Sequence, residues 1–359
     1  CGSIGAALLA CTIPECVALP KRIICLGIAA VLLAITVNTY QIHISLYMIL
    51  SLTFLMIRFA KKPFLLLKKA LFPILILPAL GCGSNLALLK ISTATQQIDL
   101  QSSRYQGLSK SLSSILPNLS TVLKGQGELW LSAQGMLPCG FFLAVFLLLF
   151  LLAVVSAVCI SKKTFLCFVG CVFIGTISVF LPHIISGSTR LCQRTIFPIF
   201  ALLVLFASVI SLTDYGVVKL PALIAIAILL VISLYSTGRY SIDCIISNAK
   251  DQYYSEAIEA QIEAYEQNTG IKVSYVCFYQ DAYPDSWNWD RHYTYDLCIN
   301  GYYCTWNRTF LLKYYCNRDL SEILPRKEWQ HFFSTQDWKT FVPNEQLIFQ
   351  DESVMICLY

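Results

Sequence analysis

The chain has 359 residues, of which 57% are hydrophobic and only 13% are charged. Soluble domains carry about 25% charged residues, so this composition excludes an ordinary soluble protein and favours a chain that lies largely in a bilayer. Up to residue 236, sixteen Lys and Arg stand against four acids, whereas the remainder holds ten against seventeen, within a net charge of +5. This asymmetry indicates a basic apolar body and an acidic polar tail in two different solvents.

Eight apolar segments approach the length of about 20 residues that a helix needs to cross the hydrocarbon. They are 2–19, 23–40, 44–60, 70–90, 136–160, 164–184, 196–212 and 218–236. The fifth is the clearest, because no charge interrupts it from Gly140 to Ile160, and Pro14 and Glu15 make the first the weakest. The sequence therefore predicts a mainly α-helical, polytopic transmembrane bundle over residues 1–236.

Basic residues fall on alternate connections between these segments, and short basic loops are typically cytoplasmic. They are Lys21 and Arg22, the cluster at 61–69, Lys162 and Lys163, and Lys219. The other connections, including the long loop 91–135, the loop 185–195 and the tail, are then expected outside the cell. The loop 91–135 is expected to contain an interfacial helix near Ser109–Leu123. Gly81-Cys-Gly-Ser84 indicates close helix packing inside the fourth segment.

Residues 237–359 predict a small extracytoplasmic α/β domain. Ser247-Asn248 can cap a helix whose stripe of Tyr254, Ile258, Ile262 and Tyr265 has helical spacing, and Asn268-Thr269-Gly270 supplies its stop. The alternation in 271–279 predicts a strand, followed by a short helix near 319–324 and a final strand at 353–359. The aromatic richness of this tail fits carbohydrate stacking or a small aromatic core.

Motifs of soluble enzymes are missing from the sequence: it has no Gly-rich phosphate loop, no H-E-x-x-H and no G-x-S-x-G. The set Cys298, Cys304, Cys316 and His331 lacks the short paired spacing of a zinc site, so no metal and no cofactor are expected. The basic residues flank apolar runs instead of forming one patch, so a nucleic-acid partner is not expected. Asn118-Leu-Ser120 matches a glycosylation acceptor, as many chance triplets do.

Ionisable residues inside spans are the default functional candidates, because their burial in lipid is costly. Glu15, His43, Arg58 and His183 form this set, although Arg58 is expected to snorkel to the cytoplasmic face and each His is expected to be an interface residue. Arg190 and Arg194 stand out in a loop that is predicted to be outside, where basic residues are disfavoured. A phosphate group would compensate for them, since Arg binds phosphate oxygens bidentately. The alternative is a surface Arg pair that touches lipid headgroups.

The chain resembles the bacterial membrane glucosyltransferases related to the phage-type O-antigen (serotype-converting) glucosyltransferases. The resemblance rests first on Asn38-Thr-Tyr-Gln41 between two spans and on Arg194-Thr-Ile-Phe-Pro198 at the entry to another. Further short matches follow the last span and close the chain: Ser247-Asn248, Asp251, Ile262-Glu-Ala-Tyr265-Glu266, Thr269-Gly270, Asp337-Trp338, Glu345-Gln346-Leu347 and Cys357-Leu-Tyr359.

The resemblance implies a GT-C type membrane fold and a multi-pass protein of the cell membrane. It implies transfer of a hexose, glucose by this likeness, from a polyprenyl-phosphate sugar to a cell-wall or surface glycan on the outer face. Arg194, and after it Arg190, are then the candidates for contact with the lipid phosphate. Tyr40 and Gln41 are candidates for the sugar pocket, or they cap the hairpin between two spans.

The resemblance also implies an acidic general base in the first extracytoplasmic loop, and this chain shows no such loop. The chain begins at Cys1, and we interpret it as a fragment whose catalytic base lies upstream. The alternative function is a flippase or transporter of lipid-linked saccharides, or a polymerase of surface glycans. A coupled transporter would usually show broken helices and buried charged pairs near the midplane, and this body shows almost none.

Overall fold

The structure is a computed structural model. It describes residues 2–12, 19–39, 42–59, 62, 72–95, 108–131, 139–185, 196–279, 301–303, 308–324, 327–335 and 342–358. The chain divides into two compact units, the helical unit (residues 1–233) and the C-terminal unit (residues 234–359).

The helical unit consists of apolar helices. They are α1 (Gly2–Thr12), α2 (Leu19–Thr39), α3 (His43–Phe59), α4 (Leu77–Ala94, preceded by a π-helical turn at Phe72–Ile76), α5 (Leu108–Leu131), α6 (Cys139–Ile160), α7 (Lys162–Ile185), α8 (Ala201–Ser211, preceded by a 3-10 turn at Phe197–Phe200) and the first part of α9 (Gly216–Thr269).

Within the described part of the chain, four helices are long and apolar enough to cross a membrane, namely Ile74–Ser92, Phe141–Ile160, Lys162–Ile184 and Gly216–Thr269. The predicted spans at 23–40, 44–60 and 196–212 correspond to shorter apolar helices of 10–17 residues. The first predicted span corresponds to α1, which has 11 residues, and Glu15 lies outside the described residues. The helical content and these long apolar helices fit the membrane bundle that the composition predicts.

Two apolar clusters hold the helical unit together. The larger one joins α3, α6, α7 and α8, and at its centre Phe206 meets Phe146, Phe150 and Phe168 at ring-centroid distances of 5.1–6.0 Å. The second cluster joins α1, α2, α3 and α4 around the fully buried Tyr47. As the glycine pattern predicts, α2 and α4 approach closely at Gly81, where an added Cβ would lie 3.5 Å from Leu33 and Val37.

The helix α9 runs without a break from Gly216 to Thr269, for 54 residues. The predicted cap at Ser247-Asn248 is therefore wrong. Ser and Asn are only weakly unfavourable inside a helix. Neither Gly, which would add backbone freedom, nor Pro, which would remove an N–H donor, stands at this point. The predicted stop is confirmed: Gly270 has φ of 72° and its N–H donates to Glu266 O at 2.8 Å. This is the single-bond αL cap.

The C-terminal unit contains a four-stranded sheet in the order β2-β1-β4-β3. Its strands are β1 (Tyr275–Tyr279), β2 (Ser321–Glu322), β3 (Leu347–Gln350) and β4 (Ser353–Cys357), and its helices after α9 are α10 (Arg308–Cys316), α11 (Lys327–Ser334) and α12 (Pro343–Gln346). β1 is parallel to β2 and β4, whereas β3 pairs antiparallel with β4. Of the predicted strands at 271–279 and 353–359, residues 275–279 and 353–357 are confirmed.

The predicted helix near 319–324 is wrong, because these residues form the edge strand β2. Ser321 N–H donates to Ser274 O at 3.0 Å and Ile323 N–H donates to Val276 O at 2.9 Å. These backbone N–H groups therefore pair across the sheet edge and not with carbonyls inside a helix. The sequence reasoning also missed α10. Its buried Leu312 packs on the same face of the sheet as Ile258 and Ile262 of α9.

The two faces of the sheet are covered by different helices. α9 and α10 cover one face, and the Trp329 side chain of α11 covers the other together with Cys277 and Cys357. Parallel crossovers are right-handed, so helices that connect to strands on opposite sides of β1 cover opposite faces of the sheet. β2 and β4 lie on opposite sides of β1, so the direction of the strand order reverses between β1 and β4, as in doubly wound α/β folds.

Candidate functional site

All four residues that the sequence singled out for substrate contact lie outside the described residues. They are Tyr40, Gln41, Arg190 and Arg194. Their neighbours in the chain are described, and these neighbours define one end of the helical unit. We call it the His43 end, formed by the start of α3, the end of α7 and the start of the 3-10 turn at Phe197.

An aromatic contact lies at the His43 end. The ring of His43, at the start of α3, meets the ring of Phe197 edge-on with a centroid distance of 5.8 Å and an angle of 73°. Gln41 precedes Ile42 and His43 in the chain, and Arg194 stands three residues before Phe197. The residues that join both predicted segments to the described helices are therefore in contact.

A proline in α7 explains the polar contact between α3 and α7. Pro182 lies inside α7 and has no N–H, so the carbonyl of Ser178 loses its usual helical donor. The hydroxyl of Ser45 in α3 donates to this carbonyl at 2.5 Å, and both residues are buried. The sequence reasoning missed both serines, although a Pro within an apolar span is a signal that a nearby polar side chain must replace its bond.

Further polar side chains at the His43 end also bind backbone carbonyls. Ser3 in α1 donates to His43 O at 3.3 Å, and Asn118 in α5 donates to Ile184 O at 3.1 Å. Asn118 is only 7% exposed, which agrees with a chance match of its triplet to a glycosylation acceptor. His183 is buried beside Ile184. These groups connect the start of α1 to the start of α3 and the middle of α5 to the end of α7.

A second buried polar cluster lies in the C-terminal unit. Both carboxylate oxygens of Asp251 accept from Gly301 N–H, at 2.8 and 3.0 Å, and the Ser255 hydroxyl bonds to Tyr302 Oη at 2.7 Å. Arg308 donates from Nε to Tyr302 O at 2.8 Å, and its guanidinium lies over the ring of Phe278. Burial raises the pKa of the Tyr302 hydroxyl above its usual range, so it stays protonated.

This cluster lies near the carboxyl end of β1, because Phe278 is the penultimate residue of that strand. In doubly wound folds, ligands bind outside the carboxyl ends of the strands where their order reverses. Here that point lies between β1 and β4, where Leu358 N–H still donates to Tyr279 O at 2.7 Å. The aromatic segment 280–300 follows β1 in the chain and lies outside the described residues.

An ion-pair cluster within the C-terminal unit joins α9 to Arg318, which follows α10. Arg318 bonds Glu259 through Nε and Nη2 and Glu266 through Nη1 at 2.9 Å, and its side chain is 14% exposed. These bonds, those with Glu259 foremost, raise the pKa of Arg318 further above its usual value, so it remains charged. Arg318 forms ion pairs with Glu259 and Glu266, so these charges stabilise one another, which indicates a structural role.

The sequence does not predict a zinc site at Cys298, Cys304, Cys316 and His331. Cys298 and Cys304 lie outside the described residues. Among the residues that the structure describes, no three His, Cys, Asp or Glu side chains are grouped to hold a metal ion. No protein-family model, curated protein or solved structure matches this chain.

Proposed function

We propose that the protein is a membrane glycosyltransferase that moves a hexose from a polyprenyl-phosphate sugar to a cell-surface glycan. The observation that carries the proposal is the contact between His43 and Phe197 at 5.8 Å. His43 follows Tyr40 and Gln41 in the chain, and Phe197 follows Arg190 and Arg194. One pair offers groups for a sugar, and the other offers guanidinium groups for a phosphate.

The chemistry needs both kinds of group at one end of the bundle. When a glycosyl group leaves a lipid phosphate, negative charge develops on the departing oxygens and must be stabilised. Arg194 and Arg190 are assigned this role. The acceptor hydroxyl must lose its proton as it attacks, so the reaction also needs a general base.

The described residues favour this function over coupled transport. Among the described residues of the helical unit, the buried polar side chains are hydroxyls, the amide of Asn118 and the imidazole of His183, with no buried carboxylate. Coupled transporters instead place buried charged pairs and broken helices near the bilayer midplane. The C-terminal unit, with its α/β sheet, is assigned to the outer face.

Transfer of radiolabelled glucose from polyprenyl-phosphate glucose tests the proposal directly. Membranes that carry the full-length protein should label a surface glycan, and membranes without it should not. Movement of an intact lipid-linked saccharide across the bilayer, without any transfer from such donors, would overturn it in favour of the flippase.

A further inference from the structure

The helix α5 has three distinct faces. Val122 and Asn118 face the rest of the protein and are 4% and 7% exposed. Leu116, Leu119 and Leu123 follow at helical spacing i, i+3 and i+7 and are 76%, 37% and 63% exposed. The remaining exposed positions between residues 113 and 124 are polar residues and a proline: Ser113, Pro117, Ser120, Thr121 and Lys124.

On a helical projection the exposed surface therefore divides into two sectors. With 3.6 residues per turn, the three leucines fall within one narrow sector beside the buried face. Ser120 and Lys124 lie on the far side of that sector. A water-exposed helix would mix polar residues over this whole surface, and a helix between two protein layers would bury both sides. Neither describes α5.

Contacts hold α5 against the His43 end of the apolar helices. Asn118 bonds Ile184 O near the end of α7, and Trp130 stacks on Phe142 near the start of α6 with a centroid distance of 5.7 Å and an angle of 3°. The turns of α6 and α7 at these contacts also expose apolar side chains, Phe141 at 38% and Leu181 at 45%. A bilayer that surrounds α6 and α7 must therefore also meet α5.

We propose that α5 lies in the membrane surface and that Leu116, Leu119 and Leu123 form a face for phospholipid acyl chains. Ser120 and Lys124 then face headgroups and water, where the lysine ammonium meets lipid phosphates. The leaflet is the one at the end of α7. This inference rests on the membrane location given above, and it is independent of glucosyl transfer.

Site-specific photo-crosslinking tests this face without touching the native cysteines. A photoreactive amino acid is placed at Leu116, Leu119 or Leu123, and separately at Ser113, Ser120 or Thr121 on the polar sector. The full chain is reconstituted in vesicles of phosphatidylcholine that carries an alkyne tag at the end of one acyl chain. We expect tagged adducts to form several-fold more at the leucine positions than at the polar ones.

A position in the middle of α6 serves as the control for membrane insertion. Leu147 is 48% exposed and should give strong lipid adducts wherever the bundle lies in the bilayer. Adducts at Leu147 together with equal, low yields on both sectors of α5 would overturn this inference alone. Absence of adducts at Leu147 as well would overturn the membrane location on which the proposed function also depends. Crosslinks from the leucine positions to protein instead of lipid would assign this face to a protein partner and reject the lipid.

Discussion

The hydroxyl of Ser45 donates to the carbonyl of Ser178 at 2.5 Å, across the contact between α3 and α7. This carbonyl is the one that Pro182 deprives of its helical donor. Deleting an acceptor's partner in a buried site costs the desolvation of that acceptor, about 1–3 kcal/mol. We therefore expect Ser45→Ala to lower the free energy of unfolding by about that amount.

A second substitution separates this cause from a general packing loss. Pro182→Ala restores an N–H that can donate to Ser178 O, so Ser45→Ala should cost clearly less in the Pro182→Ala background. Unfolding of the four proteins in detergent gives the coupling energy of the cycle. An equal cost of Ser45→Ala in both backgrounds would show that the carbonyl does not depend on Pro182.

The assignment of Arg194 to the lipid phosphate predicts a selective loss of transfer. Arg194→Ala should lower glucosyl transfer from polyprenyl-phosphate glucose on the order of a hundredfold, by removing a donor to the developing charge. Arg194→Lys should recover only part of it, since a lysine cannot bind two phosphate oxygens in one plane. Arg190→Ala should have the smaller effect of the two alanine substitutions.

Arg58 provides the matched control for these variants. It lies in the last turn of α3, at the opposite end of that helix from His43. Arg58→Ala should leave transfer nearly unchanged while removing the same charge from the same helical unit. A similar loss for Arg58→Ala and Arg194→Ala would attribute the effect to net charge or folding and would remove Arg194 from the site.

Two glycines of α7 should respond in opposite directions to the same substitution. A Cβ at Gly175 would lie 2.9 Å from Leu202 Cδ2 and 3.3 Å from Ile49 Cγ1, whereas a Cβ at Gly170 meets nothing within 4 Å. Gly175→Ala should therefore destabilise the protein by about 1–3 kcal/mol through overpacking. Gly170→Ala should be neutral or stabilise it by roughly 0.5–1 kcal/mol. Thermal unfolding of both variants in one detergent checks this, and equal shifts of the same sign would contradict it.

The contact of α9 with Val273, just before β1, and with Arg318 should weaken in acid. Burial alone would raise the pKa of Glu266, but hydrogen bonds from Val273 N–H and Arg318 hold that pKa below its usual value. A carboxyl group whose folded pKa is depressed stabilises the fold above its unfolded pKa, and this contribution is lost as the pH falls through the folded value. Stability should therefore decline as the pH drops below about 4.

Hydrogen–deuterium exchange of the full chain measures this locally, after correction for the intrinsic exchange rates. Peptides that cover 262–279 should lose protection on acidification, and in Glu266→Gln they should be less protected at neutral pH and change less with pH. Glu345 is exposed and makes no ion pair among the described residues, so Glu345→Gln should keep the pH dependence of the parent. A pH profile that Glu266→Gln leaves unaltered would assign the effect to another group.

Local signals in the sequence predicted some of these elements well. The charge-free run of α6, the stripe at Ile258 and Ile262, and the stop at Gly270 depend on residues a few positions apart. The strand β2 and the continuous α9 did not follow from such signals. Ser321 becomes a strand residue because Ser274 offers it a carbonyl, and that partner stands 47 positions away in the chain.

The candidate site shows the same division. Arg190 and Arg194 were found because their charge conflicts with the predicted outer location, which is a local signal. Ser45 and Ser178 were missed, because a lone serine in an apolar span gives no sign of the carbonyl that it serves. The pairing of His43 with Phe197 depends on how α3 and the start of α8 pack, and apolar periodicity does not specify which helices become neighbours.

The thiols of Cys277 and Cys357 lie on the sheet face that Trp329 of α11 covers. Burial raises the pKa of Cys277 to about 11 and that of Cys357 to about 12. At neutral pH both thiols are then almost entirely protonated, whereas alkylating reagents attack the thiolate. Each thiol reacts at an ordinary rate only when β1 and β4 lose their cover, so the rate of alkylation at these two positions reports how often the C-terminal unit opens.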